Sequence, residues 1–425
     1  MTSGRITHVG DVPKADRDVD ARGLLVLPGC VDLHTHLAST PSWTPLDDFE
    51  HGTRAAIAGG VTTVVSMVYQ EDGSLRRGIE RGLRDAERSH SDFAFHAVVT
   101  DPSASARGEL RALVHEGHAG IKVFMVARPY VERTEDYRAL YRDAAALGVV
   151  AAVHAEDHAL IARATAALHA AGKTSVSYFP ASRPVEAEVA AIRMAVGDAR
   201  DTGVAMYLVH LSSAAALDEV RQATGGRART FGEMRPLYLY LTRERFDRAD
   251  GALWVGQPPL RERADVDAAW RALADRTIDA VGTDHIPRLR ADKLAPGLSF
   301  DKIPPGVANL ETLLPMLYSE GVAKRRITVE RMVDLLATTP ARIAGLRTKG
   351  EVAVGKDADL VLFDPHVTRT IRASEMHSAC DYDPYEGWSV TGWPREVYLH
   401  GALAYDGEIR ARPGSGRFAR RSPLA

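Results

Sequence analysis

The sequence has little cysteine, no long apolar run and no excess of either charge. Its 425 residues include two cysteines, Cys30 and Cys380, which excludes a disulfide framework and a cysteine-rich zinc site. The 53 basic residues nearly balance the 56 acidic ones, so charge predicts no binding to nucleic acid. A signal peptide and a run of membrane-spanning length are both absent. We therefore expect a cytoplasmic protein without a membrane partner.

What the sequence does contain is a regular alternation of β-rich and helical segments. Short apolar runs lie at 30–36, 61–67, 93–99, 120–126, 149–154, 204–210, 229–233 and 279–285, and segments with helical spacing separate them. This alternation predicts a parallel sheet, and this number of strands suits an α/β fold of the (β/α)8, TIM-like barrel type. The alternative, an open doubly wound sheet, would want a glycine-rich turn after the first strand, where this chain has histidines. The run at 229–233 has the weakest strand pattern.

The two chain ends differ from the middle. Residues 1–28 and 346–425 hold short β-like runs separated by glycine turns, which indicate β-hairpins. We expect these ends to pack together as one small β-sandwich domain beside a barrel formed by residues 29–345. Residues 411–425 are rich in arginine, serine, proline and glycine and are interpreted as a tail.

Side chains that can bind metal recur at the predicted strand ends. The stretch "VDLHTHL" places His34 and His36 on one face of the first strand, because side chains alternate along a strand. The other candidates are Lys122 in the fourth strand, His154 and His210 at the ends of the fifth and sixth, and Asp284 with His285 at the end of the eighth. Reacting groups of such barrels lie at the carboxyl ends of the strands, so all of these would face one mouth. Several imidazoles with a carboxylate suit zinc or a similar ion.

Each candidate also has an ordinary structural interpretation. A single strand-end histidine is more often a core or rim residue, a buried lysine such as Lys122 is usually a salt-bridge partner, and Asp284 could be a helix cap. The strand histidine His96 has no comparable partner and is interpreted as a core residue. The conjunction of metal-capable groups at five strand ends favours a metal site over separate structural roles.

Longer motifs around these residues are recognisable. They include "LPGCVDLHTHL", "GIKVFM", "VHAEDHALI", "YLVHLSSAAAL", "GTDHIP" and "GKDADLVLFDP", and they cover nearly the whole chain. In order and spacing they resemble the cyclic amidohydrolases of the amidohydrolase superfamily, the dihydropyrimidinases and D-hydantoinases. The resemblance implies a hydrolase that opens a cyclic amide, with two divalent metal ions, zinc above all, as cofactors.

The resemblance also implies how the metals are held. The implied ligands are His34, His36 and Asp284 for one ion, His154 and His210 for the other, and Lys122 as a bridge, its amine carboxylated by carbon dioxide to a carbamate. Burial and positive neighbours would lower the lysine pKa and so supply the neutral amine that this reaction needs. The alternative for Lys122 is an unmodified lysine in a site with a single zinc. Glu156, two residues beyond His154, is assigned no ligation.

The implied chemistry uses a bridged metal pair about 3.5–4 Å apart, which lowers the pKa of a shared water to near neutral. The resulting hydroxide would attack the ring amide. Asp284 would take its proton and pass the proton to the departing nitrogen. His285 would orient its neighbours rather than bind metal.

The expected substrate is a small, neutral cyclic ureide or imide. Tyr130, in "MVARPY", is the predicted donor to a substrate carbonyl, with packing at the barrel rim as its alternative. Gln257 stands where the family usually has serine, and Asn309 lies in a second loop predicted to contact substrate. No arginine follows His36 to hold a substrate carboxylate, which favours a neutral ring.

Other functions stay open within the resemblance. Allantoinase shares the metal ligands, whereas dihydroorotases usually place an arginine where Leu37 and Ala38 follow the histidine pair. A non-catalytic, dihydropyrimidinase-related scaffold would lack metal ligands, and all six are present here. The resemblance further implies a homo-oligomer, either a tetramer or a dimer.

Overall fold

The computed structural model describes residues 1–10, 18–224 and 228–424. Within these ranges the strands are β1 (Leu25–Pro28), β2 (Cys30–Thr35), β3 (Val61–Tyr69), β4 (Asp92–Val98), β5 (Gly120–Phe124), β6 (Val150–His154), β7 (Ala205–Leu208), β8 (Thr230–Met234), β9 (Ala280–Val281), β10 (Leu360–Thr370), β11 (Ser389–Leu399) and β12 (Ala402–Tyr405). They form two separate sheets.

Strands β2 to β9 form the larger sheet, in which each strand pairs in parallel with the next. Past the short β9, a parallel bridge between Thr35 and His285 returns the sheet to β2. The His36 N–H reinforces this closure by donating to the His285 carbonyl at 3.0 Å. The predicted (β/α)8 barrel is therefore confirmed, including the strand near 229–233 that had the weakest pattern.

Helices surround the barrel between consecutive strands. They are α1 (Phe49–Ala58), α2 (Leu75–Asp85), α3 (Ala104–His115), α4 (Arg128–Glu132), α5 (Thr134–Ala146), α6 (His158–Ala170), α7 (Phe179–Ser182), α8 (Val185–Thr202), α9 (Ala214–Thr224), α10 (Leu237–Tyr240), α11 (Arg263–Ala274), α12 (Arg290–Lys293), α13 (Leu313–Leu317), α14 (Val329–Val333) and α15 (Thr339–Ile343). Several begin at a polar cap, since Asp48, Ser74, Ser103 and Asp157 each accept a backbone N–H of the first turn. No described helix has the length and apolar character needed to cross a membrane.

The core has an inner and an outer layer. Small and branched side chains such as Val31, Val65 and Ala152 fill the inside of the barrel, and a larger apolar cluster lies between the strands and the helices. Because barrel strands are buried on both faces, they read as nearly continuous apolar runs. Polar side chains at their carboxyl ends are therefore conspicuous.

The two chain ends meet in the smaller sheet, which has the antiparallel order β1, β10, β11, β12. Leu25 opposes Phe363 and Pro28 opposes Leu360 across the first pair. Near the amino terminus, the Ile6 N–H donates to the Lys356 carbonyl at 2.9 Å. The predicted union of both ends is confirmed, and the described residues form it as one four-stranded sheet. The proposed domain boundaries at 28/29 and 345/346 stay predictions.

The interpretation of residues 411–425 as a tail is wrong for the described part. The Phe93 N–H donates to the Arg417 carbonyl at 3.0 Å, and the Ala419 N–H donates back to Phe93 at 2.7 Å. The side chain of Arg421 is buried and donates to the carbonyls of Phe95 and Ala344 at 2.8 and 2.9 Å. The polar composition predicted a tail, but these polar groups form hydrogen bonds with the amino-terminal side of the barrel.

Candidate metal centre

The end of strand β2 and the segment that follows β9 bring three of the predicted ligands together. The Asp284 Oδ1 atom lies 3.3 Å from His34 Nε2 and 3.1 Å from His36 Nε2. One ligand atom from each of the three residues lies within 4.8 Å of the others, and all three residues are buried. This is the spacing of side chains that can share one ion.

The remaining predicted ligands adjoin this group. The Lys122 Nζ atom lies 3.3 Å from His34 Nε2. The His210 ring centroid is 5.5 Å from that of His34 and 4.5 Å from that of His154. The structure thus gathers at the carboxyl ends of the barrel strands all six side chains that the sequence places there.

Two of these residues have a strained backbone. His210 has φ 45° and Asp284 has φ 50°, both in the left-handed region. Such a conformation costs a non-glycine residue about 1–3 kcal/mol and is concentrated at functional sites. Each lies just beyond the end of its strand, where its side chain lies close to the other predicted ligands.

Glu233, at the end of β8, determines which nitrogen of His34 can bind metal. The His34 Nδ1–H donates to Glu233 Oε1 at 2.9 Å, which leaves a lone pair on the Nε2 atom that faces Lys122 and Asp284. Glu233 also accepts the His210 backbone N–H at 2.9 Å and the Tyr207 hydroxyl at 2.6 Å. Glu233 was not predicted from the sequence, although a carboxylate near the end of a barrel strand is a signal for such a residue.

Glu156 accepts a hydrogen bond from His154 in the way that Glu233 accepts one from His34. The His154 Nε2–H donates to Glu156 Oε2 at 2.7 Å, so Nδ1 is the nitrogen left with a lone pair. Glu156 is also paired with Arg183, whose Nε donates to Oε1 at 3.1 Å. Burial would raise the pKa of Glu156, but Arg183 and His154 lower it to about 2. The carboxylate is engaged on both oxygens, in agreement with the absence of a ligand role.

The protonation states of the site favour metal binding. Burial holds the pKa values of His34 and His210 well below the ordinary value, so both imidazoles are neutral. Burial also lowers the pKa of Lys122 to about 8, although Glu233 and Asp284 oppose this. Burial alone would raise the pKa of Asp284, but Arg235 and the adjacent histidines hold it well below its usual range. Neutral imidazoles, a carboxylate and an easily neutralised amine fit a borderline divalent ion such as zinc.

His285 uses both ring nitrogens away from this cluster. Its Nε2–H donates to Asp47 at 2.8 Å, and its Nδ1 accepts the backbone N–H groups of Asn309 and Leu310 at 3.2 and 3.3 Å. The ring therefore orders the loop that follows β9 and leaves no free nitrogen for an ion. This arrangement supports the predicted orienting role.

Tyr130 lies elsewhere than expected. Its hydroxyl donates to Asp198 on α8 at 3.3 Å, and its ring centroid is 5.0 Å from that of Tyr137 on α5. Tyr130 therefore packs between α5 and α8, a structural role like its alternative interpretation as a packing residue, although that interpretation placed it at the barrel rim. The expected donation from Tyr130 to a substrate carbonyl is contradicted by this arrangement, because Asp198 takes its hydroxyl.

The two predicted loop residues have different surroundings. Gln257 is half-buried and follows Gly256, whose backbone lies against the guanidinium of Arg235. Asn309 is buried, and neither its side-chain oxygen nor its nitrogen has a hydrogen-bond partner among the described residues. An unpartnered buried amide is available to a bound molecule.

Arg235, which follows β8 directly, is a further site residue that was not predicted from the sequence. Its side chain is fully buried, and Nη1 lies 3.3 Å from Asp284 Oδ2. Its signal in the sequence is an arginine one residue beyond the end of a barrel strand.

Comparison with known proteins agrees with this geometry. The profile of the amidohydrolase family matches residues 25–404. The chain belongs to the amidohydrolase family. Two similar family members are the D-hydantoinase of Ralstonia pickettii, 36% identical over an alignment of 433 residues covering 99% of this chain and 94% of the relative, and the D-phenylhydantoinase of Escherichia coli strain SE11, 35% identical over 416 residues covering 96% and 90%.

A solved amidohydrolase structure extends the match to three dimensions. The crystal structure of dihydropyrimidinase from Brevibacillus agri NCHU1002 superposes with a TM-score of 0.95 at 34% identity, covering 100% of this chain and 94% of that one. Amidohydrolases depend on metal, and the gathered imidazoles and Asp284 are the donors that such an enzyme requires.

Proposed function

We propose that this amidohydrolase opens a small cyclic amide by hydrolysing a carbon–nitrogen bond within the ring, using two divalent metal ions, preferably zinc. The observation that carries the proposal is the meeting of His34, His36 and Asp284 within 4.8 Å, with Lys122 3.3 Å from His34. The names of the relatives, hydantoinase and dihydropyrimidinase, support a cyclic amide as the substrate class.

The proposed ligand sets follow the two groups of side chains. His34, His36 and Asp284 would hold one ion, and His154 with His210 would hold the other. The carboxylated form of Lys122 would bridge them. In that modification the neutral amine nitrogen bonds to the carbon of carbon dioxide and one proton is released, leaving an anionic carbamate. A pKa of about 8 supports it, because a substantial fraction of such an amine is neutral near pH 7–8.

The proposed role of Asp284 is proton transfer. When bound, the metal pair acidifies a water and polarises the amide carbonyl. Asp284 is ionised, since its pKa lies well below the usual range, and can accept a proton from the attacking water. It then passes the proton to the ring nitrogen as the carbon–nitrogen bond breaks. The product has a carboxylate at the former amide carbon and one additional N–H bond.

The charge of the substrate needs reconsideration. The expectation of a neutral ring rested on the motifs of the hydantoinase and dihydropyrimidinase branch, on the absence of an arginine after His36, and on Tyr130 as a donor to a carbonyl. Arg235 brings a guanidinium to Asp284 from the end of β8 instead, so the reason drawn from the missing arginine no longer holds. Arg235 favours an acidic ring, as in a dihydroorotase-like reaction, whereas no described contact favours allantoin.

The test is a substrate panel on purified protein loaded with zinc in bicarbonate buffer. Dihydrouracil, dihydroorotate, hydantoin, allantoin and succinimide cover neutral and acidic rings, and an open-chain amide is the control. We expect ring opening of at least one cyclic amide, none of the open-chain control, and two zinc ions per chain by elemental analysis. Turnover restricted to open-chain amides would contradict the proposal.

A cytoplasmic location and a homodimer or homotetramer stay predictions from the sequence. Light scattering coupled to gel filtration tests the second, since a chain of 46.1 kDa would elute as a species of two or four times that mass. A monomer at micromolar concentration would contradict it.

A further inference from the structure

Arg235 occupies a space that the fold provides for its guanidinium. The side chain has no exposed surface. A Cβ atom on Gly256 would lie 2.5 Å from Arg235 Nη1, so glycine at position 256 makes the room that the guanidinium needs. The chain therefore brings a permanent positive charge to the metal centre and leaves out a side chain to admit it.

The hydrogen-bonding capacity of this guanidinium is largely unused. None of Nε, Nη1 and Nη2 has a well-oriented hydrogen-bond partner among the described residues, although the Tyr238 hydroxyl approaches the guanidinium, which carries five N–H donors. Buried charged groups are normally both paired and hydrogen-bonded, because their loss of hydration is otherwise uncompensated. An acceptor is therefore missing from this location.

Asp284 does not fill that need. Within the described ranges it is the one carboxylate within 4.0 Å of the guanidinium, at 3.3 Å from Nη1. Its other oxygen faces the imidazoles of His34 and His36. A carboxylate shared in this way can neutralise part of the charge but cannot accept from both edges of the fork.

The polar groups near Arg235 also do not supply the missing acceptor. The Tyr385 hydroxyl is buried without a hydrogen-bond partner among the described residues. Burial alone would lower the pKa of Arg235, but Asp284, then Tyr238 and finally Tyr385 outweigh it, and the pKa is raised. The Lys293 Nζ donates to the carbonyls of Leu253 and Val255, beside Gly256. Among the described residues, these surroundings offer further donors and, besides Asp284, no carboxylate within 4.0 Å of the guanidinium.

We infer that Arg235 binds a carboxylate carried by the substrate, so that the preferred substrate is a cyclic amide with an acidic substituent. A planar guanidinium and a carboxylate form paired, charge-assisted hydrogen bonds, which would satisfy the unused donors. The inference rests on the proposed function and adds the substrate's charge to it. Gln257 follows Gly256 and would lie next to the same substituent.

The experiment compares rings that differ by one carboxylate. Dihydroorotate is paired with dihydrouracil, and hydantoin-5-acetate with hydantoin, on the zinc-loaded enzyme. We expect kcat/KM to be at least about 10-fold higher for the acidic member of a pair, mainly through a lower KM, as for a charge-assisted contact.

Two variants then examine the guanidinium. Arg235→Met removes the charge at similar length, and we expect it to abolish or reverse the preference for the acidic ring, with Arg235→Lys intermediate. Gly256→Ala keeps Arg235 but crowds Nη1, so it should reduce the same preference. Arg331→Met, which removes another buried arginine, is the control and should leave the preference unchanged. Thermal unfolding of each variant identifies losses of folding.

A binding measurement tests the role of Arg235 independently of catalytic turnover. Titration calorimetry with N-carbamoyl-aspartate and with N-carbamoyl-β-alanine, the acidic and neutral-ring products, should show tighter binding of the former only when Arg235 is present. The inference is overturned if the wild type binds and turns over the acidic and the neutral member of each pair equally. It is also overturned if Arg235→Met slows turnover of the acidic and the neutral ring equally, because Arg235 then only positions Asp284. Absence of all ring opening would contradict the proposed function, and calorimetry would still decide the role of Arg235.

Discussion

At the residue scale, the contacts of Asp284 allow its predicted role in proton transfer to be distinguished from its predicted role in metal binding. One oxygen faces the imidazoles of His34 and His36, and the other lies 3.3 Å from Arg235. Asparagine has nearly the same shape and still offers an oxygen, but it cannot carry a proton. The residue therefore allows proton transfer to be tested without dismantling the site.

We expect Asp284→Asn to lower kcat by about 10²-fold or more, the scale of losing a general acid or base, while much of the metal is retained. Steady-state kinetics and elemental analysis of the same preparation measure the two effects. A variant that stays within a few-fold of wild type would leave Asp284 a ligand only.

Lys122 is the second decisive residue. Its amine is fully buried and lies 3.3 Å from His34 Nε2, where an ammonium would repel metal ions and a carbamate would attract them. Lys122→Ala should therefore lose most of the bound metal and the activity. Short carboxylic acids such as acetate should restore part of both, because they replace the missing oxygens. Full metal content in this variant without added acid would contradict the bridging role.

At the element scale, the segment after β12 closes the barrel at the end opposite the metal centre. Arg421 lies beneath β4 and β5, and a Cβ atom on Gly120 would lie 2.0 Å from its Nη1. Burial lowers the pKa of Arg421 to about 9, yet its N–H groups are used by the carbonyls of Phe95 and Ala344. A segment that looks like a tail in composition is thus part of the core.

We expect Arg421→Met to lower the free energy of unfolding by about 2 kcal/mol or more, because buried carbonyls lose their donors. Arg420→Met is the matched control, since the neighbouring arginine is exposed and its loss should cost less than about 0.5 kcal/mol. Urea unfolding of both variants measures this difference. Equal small effects would show that the buried contacts add nothing to stability.

At the scale of the whole molecule, Lys349 joins the barrel to the small sheet. Its Nζ bonds to Asp92 at the start of β4 and to Asp359 and Asp357 before β10, the last two at 2.5 and 3.1 Å. Asp92, Asp357 and His400 have the spacing of a metal site, but this ammonium lies among the carboxylates. The cluster is therefore a structural ion network between the two sheets.

Lys349→Met should destabilise the protein by about 3–5 kcal/mol, the usual cost of leaving buried charges without their partner. Lys302→Met removes an exposed lysine and serves as the control. Urea unfolding at pH 7 measures both. If Lys349→Met matches the control, the network does not hold the two sheets together.

The same network predicts a response to acid. Burial would raise the pKa of Asp92, but His400 and Lys349 outweigh it and the pKa is lowered. The stabilisation from Asp92 is therefore present above its unfolded pKa of about 3.9 and is lost as the pH falls through the folded-state value. Asp92→Asn should show a shallower loss of stability below about pH 4 than wild type. An unchanged pH slope would contradict this assignment.

The sequence by itself determined the barrel and the meeting of the predicted ligands at its rim. Alternating apolar runs and the histidine pair of β2 are local patterns, and the carboxyl ends of parallel barrel strands always meet at one rim. Local pattern therefore sufficed to predict that His154, His210 and Asp284 would converge, although they are far apart in the chain.

Only the tertiary structure decided how single side chains are partnered. Arg235 reaches the site because Gly256 leaves room for its guanidinium. Arg421 is part of the core because two carbonyls distant in the sequence accept its N–H groups. Tyr130 donates its hydroxyl to Asp198 on another helix instead of to a substrate. These outcomes depend on burial and on contacts between residues distant in sequence, and neither periodicity nor composition encodes which partner a polar side chain meets.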